Sequence, residues 1–371
     1  MHDLFRQATA RASRWGAWLF ASCLAAGPSA GAPPIPPADP SALIPASELI
    51  LTGRAEQVTV TYPRGVPEVI TGPVSYTIRF TIRPDRVLLG SLPPQPEVLD
   101  VHAEDVFGSI DNDDYRLFFL RRAPQGGYTL ADPTHLCLLA VPTPPTWSER
   151  PVGLNRAIAL ELIDVIATPR ERLTDTDEGM HFSPFADPAT EAEMIYEEAF
   201  STLENLPPGA VIDPLRAATA HSKLLNRLWA GAVLFELGDA STLDEIAPAL
   251  MAPPPYAFRA AAFAGHALDG VTAPNALPSL VSLLKSDIES TRSGAAYALR
   301  QIGTPATIRP LAELVLREQN RDVVDQAMWG LCEATHTKSD LCGRDIWSGS
   351  LPEVSEARRI WAKTLLTGSQ H

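Results

Sequence analysis

The sequence predicts a protein of mixed α and β structure, with an N-terminal antiparallel β barrel or sandwich followed by a C-terminal α-solenoid. Residues 75–83 alternate between polar and apolar side chains, which indicates a strand with one buried face. Segments 227–238, 259–270 and 292–303 each run from an arginine to a glycine, and their arginines stand 32 and 33 residues apart. A repeat of this length, with helical patterning on both sides of a Gly or Pro break, is typical of a helical solenoid.

These patterns divide the chain into five segments. The segments are a signal peptide at 1–32, a proline-rich tether at 33–46, the β domain at 47–145, a connecting helix and linker at 146–189, and the helical repeat domain at 190–371. The prolines at the start of the tether favour a stiff, extended backbone. With 45% hydrophobic residues, the chain is long enough to fill two separate cores.

The first 32 residues have the pattern of an export signal. Three arginines precede an apolar run at 15–26 that is too short to cross a bilayer, and small residues follow at 30–32. In an alternative interpretation, residues 19–23 resemble the lipobox of bacterial lipoproteins, although Phe20 stands where leucine is usual. Cys23 would then be lipidated and become the mature N-terminus. Both interpretations predict an exported protein, either periplasmic or secreted. Only the second attaches it to a membrane, through the lipid on Cys23.

The β domain is predicted from five or six short strands. Tyr76, Ile78, Phe80 and Ile82 form the buried face of one strand, and further strand patterns lie at 48–60, 97–102, 115–121 and 128–131. Five or six antiparallel strands within about ninety-five residues suit a small barrel or sandwich.

Three strand segments of this domain, 49–54, 86–90 and 115–120, resemble exported bacterial OB-like domains related to the netrin and TIMP modules. The TIMP-type module inhibits metalloproteases through an N-terminal cysteine, and the β domain begins without one. An inhibitory function therefore does not follow from the resemblance.

Two helices are predicted ahead of the repeats. One is an amphipathic connecting helix at 155–166, and the other begins the helical domain at 191–206. A linker rich in Asp, Thr and Pro separates them at 170–188. The apolar positions are Ile158, Leu162 and Ile166 in the first helix, and Ile195, Ala199, Phe200 and Leu203 in the second.

The third repeat shows the repeat unit best. Leucine and valine recur at helical spacing over 277–284, a polar turn follows at 287–290, and a second helix is predicted at 291–302. Small residues on that second helix allow close helix packing. Gly303 suits a helix C-cap, and a further helix is predicted at 306–316.

Segments 277–287 and 292–303 resemble the short bacterial HEAT-like repeats, and the resemblance extends over about 225–335. A fourth copy is found by aligning 322–331 under 290–299. In that family the arginine that opens the second helix is a structural residue, so the resemblance implies packing roles for Arg259 and Arg292. The second copy departs from the pattern, because His266 stands where Leu299 stands in the third.

The formal charge of −14 opposes binding to nucleic acid, which requires a basic surface. Removal of residues 1–32, with three arginines and one aspartate, makes the chain more acidic still. This acidity weighs against an oligonucleotide as the ligand of the β domain, although such barrels often bind one.

Three cysteines follow the signal segment. Cys332 closes the last repeat helix and Cys342 lies ten residues later, so we expect a disulfide between them in an oxidising compartment. The alternative is a metal site formed by Cys332, His336 and Cys342, but no C-x-x-C pair supports it. Cys137 lies in an apolar run and is predicted to be a buried free thiol.

Catalytic motifs are weak in this chain. Residues 282–285 match S-x-x-K, but they end a repeat helix and have no S-D-N or K-T-G companion. The acidic clusters at 111–114 and 175–179 do not fit the EF-hand spacing, so we interpret them as solvated turns. Calcium binding is the alternative interpretation. We therefore predict no cofactor, no metal and no enzymatic activity.

The predicted function is non-catalytic binding of a protein or peptide in the cell envelope, through a groove lined by the second helices of the repeats. Two alternatives remain: an oligosaccharide-binding or inhibitor-like role for the OB-like domain, and a hydrolase site between the domains. Three tryptophans near the C-terminus are read as a cap on the last repeat, or else as interaction anchors. The sequence does not give the oligomeric state. The predicted binding positions are His266, Ser293, Tyr297, Arg300 and Gln301, and the tryptophans are Trp329, Trp347 and Trp361.

Overall fold

The computed structural model contains a β unit and a helical unit. It describes residues 39–62, 76–92, 98–106, 110, 112, 114–132, 138–140, 153–169, 188–220, 222–337, 340–342 and 352–368. Several predictions fall outside these residues. They are the signal segment with Cys23, the start of the tether, Asp111, Asp113, Cys137, the acidic cluster at 175–179, and Trp347.

The β unit is a closed five-stranded barrel with a short sixth strand. The strands are β1 Leu49–Thr61, β2 Tyr76–Leu89, β3 Leu99–Val106, β4 Tyr115–Arg122, β5 Tyr128–Leu130 and β6 Leu138–Leu139. Their order is β1-β2-β3-β5-β4, and β4 also pairs with β1, which closes the barrel. Strand β6 pairs antiparallel with β4 at Arg116 and Leu117. The fully antiparallel sheet predicted from the sequence is wrong at one place, because β3 and β5 run parallel where Val101 pairs with Tyr128.

The predicted alternation in β2 is confirmed. Ile78, Phe80 and Ile82 are buried in the barrel core, whereas Arg79 and Arg83 are exposed. Phe80 packs against Phe118 of β4 with their ring centroids 5.8 Å apart. Closure of the barrel pairs the strand edges that an open sheet of this size would expose to solvent.

A short helix, α1 Pro40–Ala46, packs against β4. The sequence interpretation placed these residues at the end of the extended tether. Asp39 caps it by accepting a hydrogen bond from Ser41 N at 2.8 Å. Leu43 is only 2% exposed, and this burial explains why residues 40–46 leave the extended conformation.

The helical unit contains eleven α-helices among its described residues. They are α2 Leu154–Ala167, α3 Pro188–Leu203, α4 Pro208–Thr219, α5 Leu224–Glu236, α6 Leu243–Met251, α7 Phe258–Ala267, α8 Leu277–Leu283, α9 Glu289–Ile302, α10 Ile308–Arg317, α11 Arg321–Ala334 and α12 Pro352–Gly368. Within this described part of the chain, none of the helices combines the length and apolarity that a bilayer crossing requires.

Helix α2 belongs to the helical unit and is buried on all sides from 157 to 166. The sequence predicted that only one face of this helix is buried, whereas the structure buries its whole circumference over these residues. Asn226 of α5 donates to Ile166 O at 2.7 Å and to Thr168 O at 2.9 Å, and Tyr196 of α3 also donates to Thr168 O. These side chains satisfy carbonyl groups at the C-terminal end of α2, which would otherwise be buried without partners.

The second helices of the four repeats are α5, α7, α9 and α11, and each packs on the next. Glycines set the closeness of this packing: a methyl group on Gly294 of α9 would collide with the carbonyl oxygen of Gly265 in α7. Gly303 ends α9 with φ of +59°, and its N–H donates to Leu299 O, so the predicted C-cap is confirmed.

The predicted disulfide between Cys332 and Cys342 is present, with its Cα atoms 6.2 Å apart. The alternative metal site is wrong, because two cysteines joined to each other do not provide thiolate ligands. Among the described residues, no group of three or more His, Cys, Asp or Glu side chains converges as metal ligands would. The disulfide attaches the 3₁₀ turn Asp340–Cys342 to α11, and α12 follows and packs on α10.

Candidate functional site

Four of the five predicted binding residues lie on α9. Ser293, Tyr297 and Arg300 are partly buried there, and Gln301 is exposed. The residues between them pack into the interior, including Ala295, Ala296, Ala298 and Leu299. The amphipathic pattern of α9 therefore presents the predicted residues away from the core, as the sequence indicated.

Arg300 is the centre of a compact group of side chains. Its guanidinium carbon lies 5.6 Å from the centroid of the Tyr297 ring and 5.3 Å from the centroid of the Trp329 ring on α11. Both distances are within the range of a cation–π interaction. Its Nε and Nη2 atoms also donate to Glu333 Oε1 at 2.8 and 2.6 Å. We call Tyr297, Arg300, Trp329 and Glu333 the Arg300 cluster.

The Arg300 cluster is ordered by its own contacts but remains accessible. The Arg300 side chain is 23% exposed and that of Glu333 is 51% exposed, while both aromatic side chains are partly buried. An accessible group with this composition offers aromatic surface, a carboxylate and part of a guanidinium in a small area. Tryptophan, tyrosine and arginine are the residues enriched at the centres of protein interfaces.

Gly330 allows the Arg300 cluster to form. A methyl group at Gly330 would lie 2.7 Å from Leu311 Cδ1 and 3.2 Å from Arg300 Cβ. The absent side chain therefore lets α11 approach α9 closely enough for the neighbouring Trp329 to reach the Arg300 guanidinium.

Glu333 was not predicted as a binding residue, and Trp329 was named only in the alternative that makes the C-terminal tryptophans interaction anchors. The repeat period contained the necessary signal, because Trp329 stands 32 residues after Tyr297 and Glu333 stands 33 after Arg300. The sequence interpretation preferred a role for Trp329 in the C-terminal cap. Trp361, another residue of that predicted cap, is partly buried on α12.

The structure joins Tyr297 and Arg300 directly, and Ser293 and Gln301 share their helix without joining the Arg300 cluster. His266 lies near the end of α7, partly buried and engaged in interactions of its own. The sequence alignment that places His266 at the position of Leu299 pairs a partly buried residue with a fully buried one. Helix α7 is followed at 268 by the tighter 3₁₀ turn Leu268–Gly270, whereas α9 stays α-helical to Ile302.

The arginines that open the second helices make structural contacts. Arg292 pairs with Glu318 Oε2 at 2.7 Å and donates to the carbonyl oxygens of Ser286 and Asp287. Arg259 pairs with Glu197 of α3 at 2.6 Å. These contacts support the packing role that the family resemblance implied. Their partners are not equivalent positions of the repeat, so the arginines do not form a regular ladder.

Glu318 is held as a carboxylate in this packing arrangement. Burial alone would raise its pKa, but hydrogen bonds from Arg292 and from the N–H groups of Asn320 and Gln319, together with the charge of Arg292, keep the pKa below its ordinary value. Glu318 therefore connects the third repeat to the turn that opens α11.

A second polar group lies on the barrel. The Tyr115 hydroxyl donates to Asp85 Oδ2 at 2.5 Å and lies 3.0 Å from Thr52 Oγ1, and the guanidinium carbons of Arg54 and Arg86 each lie 5.9 Å from its ring centroid. Burial and the hydrogen bond to Asp85 raise the pKa of Tyr115, so this phenol stays protonated at neutral pH.

Two residues of the predicted calcium alternative at 111–114 are described, and both make other contacts. Asn112 Oδ1 accepts a hydrogen bond from Val58 N at 2.9 Å. Asp114 is buried and pairs with Arg116 at 2.8 Å. Its carboxylate therefore serves an internal ion pair of the barrel.

Comparison with known protein families gives one match, to the model for HEAT repeats, over residues 243–332. The matched residues run from α6 to α11 and include the whole of α9 with Tyr297 and Arg300. No curated protein matches the chain. HEAT repeats generally mediate protein–protein interaction, so the match suggests a protein-interaction scaffold for the matched residues.

Proposed function

We propose that this protein is an exported, non-catalytic binding protein. In this proposal a groove on the second helices of its HEAT-like repeats holds a protein or peptide in the cell envelope. The Arg300 cluster is the observation that carries the proposal, because it combines accessible aromatic and arginine side chains on that surface.

The energetic argument rests on preorganisation. Binding normally loses part of its free energy in ordering side chains, at about 0.5–1.5 kcal/mol for each flexible one. Arg300 is already held between two rings and hydrogen-bonded to Glu333. A partner that covers the Arg300 cluster would remove aromatic surface from water without first having to order this arginine.

The chemistry of the partner follows from the same residues. Tyr297 and Trp329 favour an apolar or aromatic side chain, and the half-exposed Glu333 carboxylate favours a hydrogen-bond donor or a cation beside it. Since the Arg300 cluster joins α9 to α11, a suitable ligand is an extended or helical segment that crosses two neighbouring second helices.

Export is supported by two features. The arginine-flanked apolar run within 1–32 has the composition of a signal segment. The disulfide between Cys332 and Cys342 is of a kind that persists mainly in oxidising compartments. Lipidation at Cys23 remains the alternative to cleavage of the signal, and it would attach the protein to a membrane.

A second candidate function places the ligand on the barrel. The cyclic strand order, with β3 and β5 parallel, supports an OB-like assignment for the β unit. Tyr62 at the end of β1 is 55% exposed, and its ring centroid lies 5.7 Å from that of Tyr76. OB-fold barrels bind oligosaccharides through this part of the fold, which favours a sugar ligand over the inhibitor-like alternative.

Affinity capture from envelope extract tests the proposal. The full chain is used as bait beside three variants: Y297A/R300A, Y62A and R309A. Arg309 is exposed and pairs with Glu313 one helical turn away, so R309A controls for the loss of a surface arginine. Proteins lost with Y297A/R300A but kept with R309A support the groove, and their partners are then identified by mass spectrometry. Capture that depends on Tyr62 alone would transfer the function to the barrel.

A further inference from the structure

A positively charged depression lies between the turns of the third and fourth repeats. Its volume is about 710 Å³, and it is open to solvent. The charged and polar residues that line it are Lys285, Ser286, Arg292, Arg317, Glu318 and Gln319, with Asn320 at the start of α11. It is separate from the Arg300 cluster, because Arg292 and Arg300 stand eight residues apart on α9, a rise of roughly 12 Å.

The charge of the depression is opposite to that of the chain. Three of its side chains are cationic and one is a carboxylate, whereas the protein as a whole carries −14. The carboxylate, Glu318, is already bound to Arg292 and to the N–H groups of Gln319 and Asn320. Lys285 and Arg317 therefore provide positive charge that no carboxylate lining the depression balances.

Donor groups remain available on these two side chains. Arg317 donates from Nη2 to Leu284 O at 2.9 Å, which fixes its direction. Within the described part of the chain, its other N–H groups stay available to a ligand. Lys285 is exposed, and its ammonium group has no partner among the residues that the structure describes.

Asn320 supplies one more donor of known orientation. Its Oδ1 atom accepts hydrogen bonds from the N–H groups of Asp322 and Val323, so its amide nitrogen remains a donor. The depression thus combines an ammonium group, a guanidinium group and an amide.

The backbone N–H groups beside the depression indicate whether a phosphate or a carboxylate suits it better. Phosphate sites at helix N-termini rely on free backbone N–H groups. At the start of α11 four such groups are already taken, those of residues 319, 320, 322 and 323. Among the residues that line the depression, the remaining donors are side-chain groups. An arginine beside a lysine suits the planar, singly charged carboxylate.

We infer that this depression binds a carboxylate of an acidic peptide segment through Lys285 and Arg317. The contact goes beyond the proposed function, because it uses the turns of the repeats and none of the residues in the Arg300 cluster. The partly buried ion pair of Arg292 with Glu318 forms its wall, and Glu318 positions Asn320 by accepting a hydrogen bond from its N–H group.

A peptide-binding titration tests this inference with the full chain. The probe is a labelled, otherwise neutral peptide with two adjacent glutamates, and its glutamine analogue is the uncharged probe. We expect the glutamate peptide to bind more tightly, and K285Q/R317Q to weaken its binding about tenfold or more, as expected for the loss of hydrogen bonds to charged groups. Fluorescence anisotropy measures the affinity, and circular dichroism verifies that the variants are folded.

R309Q/K363Q is the matched control, because it removes the same charge at two exposed positions away from the depression. Equal weakening by this control would mean that only net charge matters and would overturn the inference. Displacement of the peptide by inorganic phosphate at lower concentration than by acetate would overturn the carboxylate assignment. Retained peptide binding in Y297A/R300A would separate this contact from the proposed groove.

Discussion

Arg300 and Trp329 lie on consecutive repeats, and the guanidinium carbon of the first stands 5.3 Å from the ring centroid of the second. Tyr297 covers Arg300 as well, at 5.6 Å, and occupies the position of Trp329 one period earlier in the chain. The repeat thus places an aromatic side chain at the same position on two neighbouring helices, with one arginine between them.

The first prediction concerns the energy of this contact. We expect a double-mutant cycle with R300A and W329A to give a coupling of about 0.5–1 kcal/mol, the usual value for an accessible cation–π pair. Urea denaturation followed by circular dichroism measures it. A cycle with R309A in place of R300A should give no coupling, and zero coupling in both cycles would show that the contact does not contribute to stability.

The second prediction separates binding from folding at the Arg300 cluster. Replacement of Tyr297 and Arg300 together by alanine should weaken binding of a captured partner by roughly 2 kcal/mol or more, as at an interface hot spot. The free energy of unfolding should change by only about 1 kcal/mol, because both side chains are partly accessible. Isothermal titration and denaturation provide the two values. Unchanged affinity would exclude these residues as anchors.

The third prediction uses glycine packing. G294A should destabilise the protein by about 1–3 kcal/mol, since the added methyl meets the backbone carbonyl of Gly265. G209A is the control, because nothing lies within 4 Å of the methyl it would add near the start of α4. That change should be neutral or slightly stabilising. Similar melting temperatures for both variants would contradict the close packing of α7 on α9.

The fourth prediction concerns pH. The pKa of Glu318 is lower in the folded protein than its ordinary value, so its ionised form contributes stability above the unfolded pKa, about 4.3. This contribution is lost as the pH falls through the folded pKa. Wild type should therefore lose more stability than E318Q between pH 7 and acid pH, as measured by urea unfolding. R292Q should flatten the same profile, since Arg292 is the main partner of Glu318.

The fifth prediction concerns the disulfide. Replacement of Cys332 and Cys342 by alanine should reduce stability by roughly 2–3 kcal/mol, as expected for a short closed loop. Non-reducing peptide mapping should recover both cysteines in one crosslinked peptide. Reductant should lower the melting temperature of wild type but leave that of the double variant unchanged, and equal shifts in the two proteins would contradict a stabilising role.

The periodic parts of the chain were predictable, and the exceptions have physical causes. Strand β2 and the cap at Gly303 followed directly from side-chain period and glycine chemistry. Helix α1 was missed because proline-rich composition masked a single leucine that becomes buried. Helix α2 was misread because its burial on every side depends on packing against α3, α4 and α5, which follow later in the sequence.

The candidate site was predicted in part for a similar reason. Tyr297 and Arg300 stood out on one helix face, since local spacing is enough to find them. Their partners on α11, Trp329 and Glu333, meet them through contact between neighbouring repeats. That contact can be predicted only by comparing residues that stand one repeat apart in the sequence. The depression at Lys285 and Arg317 depends on which backbone groups are already occupied, and composition carries no information about that.

The contact between Gly265 and Gly294 has a mechanical consequence. Where two helices meet through backbone atoms, no layer of adjustable side chains lies between them to be compressed or sheared. The joint between the second and third repeats therefore acts as a rigid spacer. A ligand that reaches from one of these repeats to the other meets a fixed distance, and strain introduced at one of them is transmitted to the next rather than absorbed between them.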